Sequence, residues 1–289
     1  QNYARFAGVG ISRAVSAGNA AQVGVVDFLE FFADDPETDV ALAYVEGVAD
    51  GRRFYERIRS VCERIPVVLV KGGATAGGAR AAASHTGSLA TDDRVFDGMC
   101  RQAGVVRAAT IEEAYEAAAS FATQPLPKGP KVMVVSTVGG WGVVAADAIA
   151  GVRDLELAPM PADLRADLDA KLPPRWSRNN PIDLAGGETK DTVPEVLTLA
   201  ARHADVDAVV FLGMGIQGNT AKMEREGGFY PDHGLERIVS YHERQEGRYA
   251  TVAAELATEL GKPLLTATEL AVTSPDNVAV RGVVESGRY

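Results

Sequence analysis

Short runs of β-branched and aliphatic residues alternate with longer stretches of helical periodicity along almost the whole chain. That alternation constrains the fold more than any other feature. Strands separated by helices pair in parallel through crossovers, and the helices then cover the faces of the sheet. The class is therefore α/β with parallel sheets. Strands are expected at 11–16, 40–45, 66–70 and 105–106, and helices at 24–33, 51–64, 92–103 and 111–122. Residues 1–7 read as the last turns of a helix stopped by Gly8. Three prolines in Pro125-Leu126-Pro127-Lys128-Gly129-Pro130 remove backbone donors and stiffen the path, so this segment reads as a linker. Beyond it, strands are expected at 131–136, 155–158, 207–213 and 263–267. Helices fit 140–150, 161–171, 192–203, 235–260 (with Gly247 a point of fracture) and 276–286. The polar, Gly-rich stretch 214–233 has few periodic apolar positions and reads as a loop or lid. A chain that opens on a helix tail lacks the strand that should precede it, so residues upstream of Gln1 are expected to be missing.

With 289 residues the chain has room for two medium α/β domains. Its formal charge of −10 argues against coating nucleic acid or an anionic membrane, but not against a local pocket for an anion. Cys62 and Cys100 are the only cysteines and have no metal-type spacing, so buried thiols in a reduced, cytoplasmic setting are the expectation. No apolar run approaches the ~20 residues that span a bilayer, and the first residues do not read as a signal peptide. No His/Cys/Glu spacing marks a metal site.

The most informative stretch runs from Lys71 to Ala90, directly after the strand Val67-Val68-Leu69-Val70. Open α/β sheets place ligands at the carboxyl ends of their strands. Glycine and alanine dominate the stretch, so its backbone can approach a ligand closely. His85 stands in it among the hydroxyls of Ser84, Thr86 and Ser88. Imidazole is a competent nucleophile near neutral pH. A catalytic histidine and an incidental one in a flexible loop are both open readings. In Val135-Ser136-Thr137-Val138-Gly139-Gly140-Trp141-Gly142 a strand ends in a Gly-rich turn and a helix begins at once, so free amides and the helix dipole would face any anion placed there. The alternative is that these glycines only permit close strand–helix packing. The segment is neither a Walker loop nor a dinucleotide fingerprint.

Glu46 ends another strand, where a carboxylate could hold a histidine in one tautomer or simply be solvated. Gly18-Asn19 and Asn180-Pro181-Ile182-Asp183 are polar turns that could line the same cleft or be ordinary turn chemistry. His203 and His242 are expected to face solvent, and His233 falls in the presumed lid.

Taken together, Gly18-Asn19, Tyr44-Val45-Glu46-Gly47, the run Gly78–Ala90 with Ser84-His85-Thr86-Gly87-Ser88 at its centre, the proline linker, Gly139-Gly140-Trp141-Gly142 and Asn180–Asp183 resemble the NDP-forming acyl-CoA synthetases, relatives of succinyl-CoA ligase. The resemblance is to the alpha-subunit type of ADP-forming acetyl-CoA synthetase. It implies two flavodoxin-like, doubly wound domains, over 1–124 and 130–289, joined by the linker 125–129. It places a phosphorylated histidine at His85, a histidine-orienting glutamate at Glu46, a phosphate-holding helix start at Gly139, Gly140, Trp141 and Gly142, and a substrate-binding role at Gly18 and Asn19. It implies CoA and ADP or ATP as substrates, with Mg2+ accompanying the nucleotide mainly outside this chain. Partners would be an ATP-grasp subunit or fused domain, a CoA-binding domain, and a small carboxylic acid or its acyl-CoA, in an oligomer. Against the family pattern, the CoA-binding domain, the first strand and turn of the first flavodoxin-like domain, and the ATP-grasp module are absent, so the chain alone is expected to be incomplete. Trp141 stands where many relatives have a small residue or proline. The alternatives are a non-catalytic module that senses acyl-CoA or nucleotide, and a phosphohistidine relay without CoA dependence.

Overall fold

The computed structural model describes residues 4, 9–18, 20, 22–78, 80–81, 92–187, 189–267 and 276–287. The chain divides into two compact units, whose main parts are Gly10–Ala122 and Thr123–Tyr289. Both are α/β units with a parallel sheet. Among the described residues, no helix is long and apolar enough to cross a membrane.

The first unit has three parallel strands, β1 (Ala41–Val45), β2 (Val67–Lys71) and β3 (Val106–Ala108), in that order across the sheet. Helices α1 (Val25–Asp34), α2 (Gly51–Cys62), α3 (Asp93–Ala103) and α4 (Ile111–Thr123) surround it. Strand β2 is buried along its whole length. Its side chains alternate between two cores, as the two-residue period of a strand requires. Val67 and Leu69 join Leu29 of α1, Ile58 of α2 and Phe96 of α3, whereas Val68 and Val70 join Ala114 and Ala118 of α4. Local sequence sets the helix ends. Asp50 accepts from the Arg53 amide to cap α2, and Asp92 accepts from the Arg94 and Val95 amides to cap α3. Gly104, at φ +79, ends α3 in the left-handed region.

Residues 11–16 do not form the expected strand. Ile11 and Val15 are exposed, and the segment is tied to the α1–β1 turn through side chains. Ser12 Oγ lies 2.9 Å from Thr38 Oγ1, and Arg13 Nε lies 3.4 Å from Asp35. Two apolar residues among serine and arginine bury too little to favour a ladder. The expected N-terminal helix at 1–7 lies outside the described residues, apart from Ala4.

The second unit carries β4 (Lys131–Ser136), β5 (Glu156–Leu157), β6 (Ile182–Asp183), β7 (Ala208–Leu212) and β8 (Leu264–Ala267). The order is β5-β4-β7-β8, and β6 pairs with the far end of β4. Helices α5 (Gly139–Ala150), α6 (Ala162–Asp169), α7 (Thr192–Arg202), α8 (Ile216–Arg225), α9 (Leu235–Leu260) and α10 (Val278–Glu285) complete it. Met133 and Val135 of β4 face the main core, built with α6, α7 and α9. Val132 and Val134 face the opposite core, with Ile149 of α5.

Three expectations for this unit are corrected. The stretch 214–233 is not simply a loop, because α8 lies within it. Its contact face consists of Gly218 and Ala221 with polar neighbours, so it has no apolar stripe to read. Helix α9 runs unbroken through Gly247. A Cβ on Gly247 would make only an ordinary contact, 3.7 Å from Val278 Cγ1; the glycine that close packing requires is Gly282 of α10, where a Cβ would lie 2.9 Å from Ala250 Cβ. Ile182–Asp183 is a strand rather than part of a turn. Asn180, nearly buried, takes the place of a ladder residue between β5 and β6. Its Oδ1 accepts from the Val134 amide at 3.0 Å, and its Nδ2 donates to the carbonyls of Val132 (2.8 Å) and Ala158 (3.0 Å).

The expectation of solvent-facing histidines also fails. The His203 side chain is only 15% exposed at the end of α7. Its Nδ1 accepts from the Asp205 amide, which leaves the proton on Nε2 to donate toward Asp163 at 3.3 Å. His242 is 23% exposed, with Nδ1 3.3 Å from Glu224. His233 is exposed and stacks edge-on against Phe229.

Candidate functional site

In the first unit, β1 and β2 pair in parallel with Val45 opposite Lys71, so their carboxyl ends stop side by side. The Gly72 amide extends the ladder one step by donating to the Val45 carbonyl at 2.8 Å. Glu46 follows β1 at this rim. Tyr44 Oη donates to Glu46 Oε1 at 3.2 Å. Glu46 Oε2 is buried and has no hydrogen-bond partner among the described residues, a costly state for a carboxylate oxygen unless a donor arrives. Burial, and then the neighbouring Glu46 charge, push the Tyr44 phenol above its ordinary range.

Lys71 lies beneath the start of the segment that leads to His85, its side chain 1% exposed. Its ammonium donates to the carbonyls of Gly72 (3.4 Å) and Gly73 (3.5 Å), lies 3.7 Å from Asp93, and sits over the Phe96 ring. A buried lysine needs such partners. Lys71 was not singled out from sequence, although a lysine ending an otherwise apolar strand was the available signal. His85 and Asn19 lie outside the described residues. Gly18 sits at φ +55 in an exposed turn closed by the Ala20 amide on the Ala17 carbonyl.

In the second unit, α5 begins where β4 ends, as the glycines after Ser136 led us to expect. Ser136 Oγ braces the turn, accepting from the Val138 amide and donating to the Val138 carbonyl. The Trp141 and Gly142 amides donate back to Val138. The Gly139 and Gly140 amides precede them, at the positive end of the helix. The glycines divide between the two readings. A Cβ on Gly139 would fall 2.5 Å from Asp183 Oδ2, and one on Gly142 3.2 Å from Pro181, so both permit close packing. A Cβ on Gly140 would meet nothing within 4 Å, so packing does not require that glycine. Trp141 is partly exposed beside it. The Asp183 carboxylate, steadied by the Ala185 amide at 2.9 Å, lies at the mouth of this helix start.

A similar strand–turn–helix unit follows β7. There the Gly215 and Gly218 amides donate to the two oxygens of Glu246, at 2.8 and 3.0 Å. Glu246 is fully buried, and burial raises its pKa despite these donors. Neither cysteine is poised for chemistry, because burial pushes each thiol up to about 11. Among the described residues, no group of three or more His, Cys, Asp or Glu is placed to hold a metal ion.

Comparison with known proteins fits this geometry. Residues 1–121 match the succinyl-CoA ligase like flavodoxin domain, and residues 132–219 match the ligase-CoA domain. The chain is 39% identical over 204 residues to the acetate–CoA ligase (ADP-forming) I subunit alpha of Pyrococcus furiosus, covering 71% of this chain and 44% of that protein. It is 33% identical over 205 residues to the 4-hydroxybutyrate–CoA ligase (ADP-forming) of Nitrosopumilus maritimus, covering 70% of this chain and 29% of that one. The chain thus spans less than half the length of these relatives. Among solved structures, the dinucleotide forming acetyl-coenzyme A synthetase 1 of Ca. Korarchaeum cryptofilum, in complex with phosphate and ADP, superposes with a TM-score of 0.71 at 28% identity, over 99% of this chain and 62% of that one. The chain is a homologue of the ADP-forming acyl-CoA synthetases, carrying a succinyl-CoA ligase like flavodoxin domain followed by a ligase-CoA domain.

Proposed function

We propose that this chain supplies the phosphohistidine part of an NDP-forming acyl-CoA synthetase, with one domain over 1–124, a linker at 125–129 and a second domain over 130–289. The reaction interconverts acyl-CoA, NDP and phosphate with a carboxylic acid, CoA and NTP. Phosphate first displaces CoA from the thioester to give an acyl phosphate. An imidazole nitrogen of His85 then attacks phosphorus, the P–O bond to the acyl group breaks, and the carboxylate leaves. The phosphohistidine finally passes its phosphoryl group to NDP and regenerates the imidazole.

The observation that carries this reading is the Glu46 carboxylate at the carboxyl rim of β1. One oxygen accepts from Tyr44, and the other is buried without a donor among the described residues, beside the root of the His85 segment. An imidazole N–H from His85 would satisfy that oxygen and direct the opposite nitrogen at phosphorus. In the second unit, the helix start at Gly139, Gly140, Trp141 and Gly142 would offer a phosphate dianion the free amides of Gly139 and Gly140, while the Trp141 and Gly142 amides, bonded to Val138, add only to the helix dipole; the open space over Gly140 suits such an anion. Gly18 and Asn19 would contact substrate. CoA and ADP or ATP are the expected substrates, and Mg2+ would travel with the nucleotide on an ATP-grasp subunit or domain outside this chain. The enzyme would work in the cytoplasm, as an oligomer that includes a CoA-binding domain.

The test is phosphate labelling. The complete enzyme incubated with γ-labelled ATP should gain acid-labile, base-stable phosphate, and His85→Ala should abolish it. Label retained at the wild-type level in His85→Ala would sink the proposal.

A further inference from the structure

We propose that Tyr44 is a positioning residue for phosphoryl transfer: its hydroxyl holds one oxygen of Glu46 so that the other is presented to the histidine. This inference rests on the reading that Glu46 orients His85. Tyr44 lies near the end of β1 and Glu46 just beyond it, and both side chains turn toward Gly72, where they meet in a hydrogen bond. The phenol has a single proton, and it points at Glu46 Oε1. Hydrogen bonds of catalytic groups commonly run long without ligand, as this one does at 3.2 Å. Oε2 is left buried, with no partner among the described residues, and so able to accept a ring N–H. The raised pKa keeps the phenol a donor through the neutral range.

Gly72 shows that the geometry is specific. A Cβ there would lie 2.2 Å from Tyr44 Oη, 2.9 Å from Tyr44 Cζ and 3.2 Å from Glu46 Cγ. Only glycine lets the tyrosine lie across the first residue after β2 and reach the carboxylate. The hydroxyl does little for the fold, since Tyr44 is 52% exposed and the β1–β2 ladder forms through backbone groups. The fold does not need this contact; a carboxylate that must aim one oxygen does.

The experiment compares Tyr44→Phe, Glu46→Gln and the double variant in the complete enzyme, by the rate of phosphate incorporation from γ-labelled ATP, its KM and the thermal midpoint. Tyr44→Phe keeps the ring and should slow labelling about tenfold at unchanged KM, the scale of a lost orienting contact. The thermal midpoint should stay in place, which separates lost orientation from lost folding. In a Glu46→Gln background, Tyr44→Phe should add no further loss. Gly72→Ala, which displaces the tyrosine, should reproduce the slowed labelling at unchanged KM. If Glu46→Gln is slowed but Tyr44→Phe keeps the wild-type rate, the inference is overturned and the reading of Glu46 stands. If Glu46→Gln labels at the wild-type rate, that reading fails and the role of Tyr44 with it.

Discussion

The second unit holds two helix starts of the same local design, and they meet opposite fates. After β4 the chain turns through Gly139 and Gly140 into α5, and after β7 it turns through Gly213 and Gly215 into α8. At α8 the amides of Gly215 and Gly218 are taken by Glu246, a buried carboxylate delivered by α9 from 28 to 31 residues further along the chain. At α5 the Trp141 and Gly142 amides close the turn locally, and Asp183 stands at the mouth while bonded to the Ala185 amide. A helix start is thus a demand for negative charge that the protein can meet internally or leave for a visitor. Short-range sequence cannot say which, because the deciding carboxylate lies elsewhere in the chain.

The largest test of this contrast is Glu246→Ala. It strands two buried amides and should cost about 3 kcal/mol of unfolding free energy, read from urea midpoints. A loss below about 0.5 kcal/mol would mean that α8 does not depend on its internal acceptor, and the two starts would be alike. Next in size is the pH dependence of that contribution. The folded-state pKa of Glu246 is raised, whereas the unfolded carboxyl titrates near ~4.3. Its titration therefore adds stability that is complete below the unfolded pKa and is lost as pH rises through the raised folded value. The cost of Glu246→Gln should accordingly be greater at pH 4 than at pH 8, and the reverse order would refute the raised pKa. The smallest effect belongs to Asp183→Asn. The amide keeps an acceptor for Ala185 and removes a charge at the α5 mouth, so stability should change by less than about 1 kcal/mol. A larger loss would show that Asp183 is to α5 what Glu246 is to α8.

How far the sequence could be read follows the same line between local and distant causes. The α/β class, the strands after residues 40, 66, 131 and 207, and the glycine-led start of α5 were legible because hydrophobic period and turn chemistry are local. Helix α8 was not, since its buried face is Gly218 and Ala221 against polar neighbours. Strand 11–16 was expected from β-branched residues whose burial no neighbour supplies. At the first-unit rim, Glu46 was legible as a carboxylate ending a strand. Its bond to Tyr44, its free oxygen and the need for glycine at 72 emerge only when two strands lie side by side. The solvent-facing expectation for His203 and His242 failed for the same reason, as Asp163 and Glu224 come from other helices.

Asn180 carries a consequence for how this sheet can vary. Its one amide group stands in for a peptide unit, filling the gap on the edge of β4 between two strands of two residues each. Provided that residues 159–179 still bury Leu164, Leu168, Leu172 and Trp176 in the main core, the chain need only return one asparagine to that gap for the edge of β4 to be continuous. The exposed turns between those anchors can therefore change length while the register of the sheet stays put.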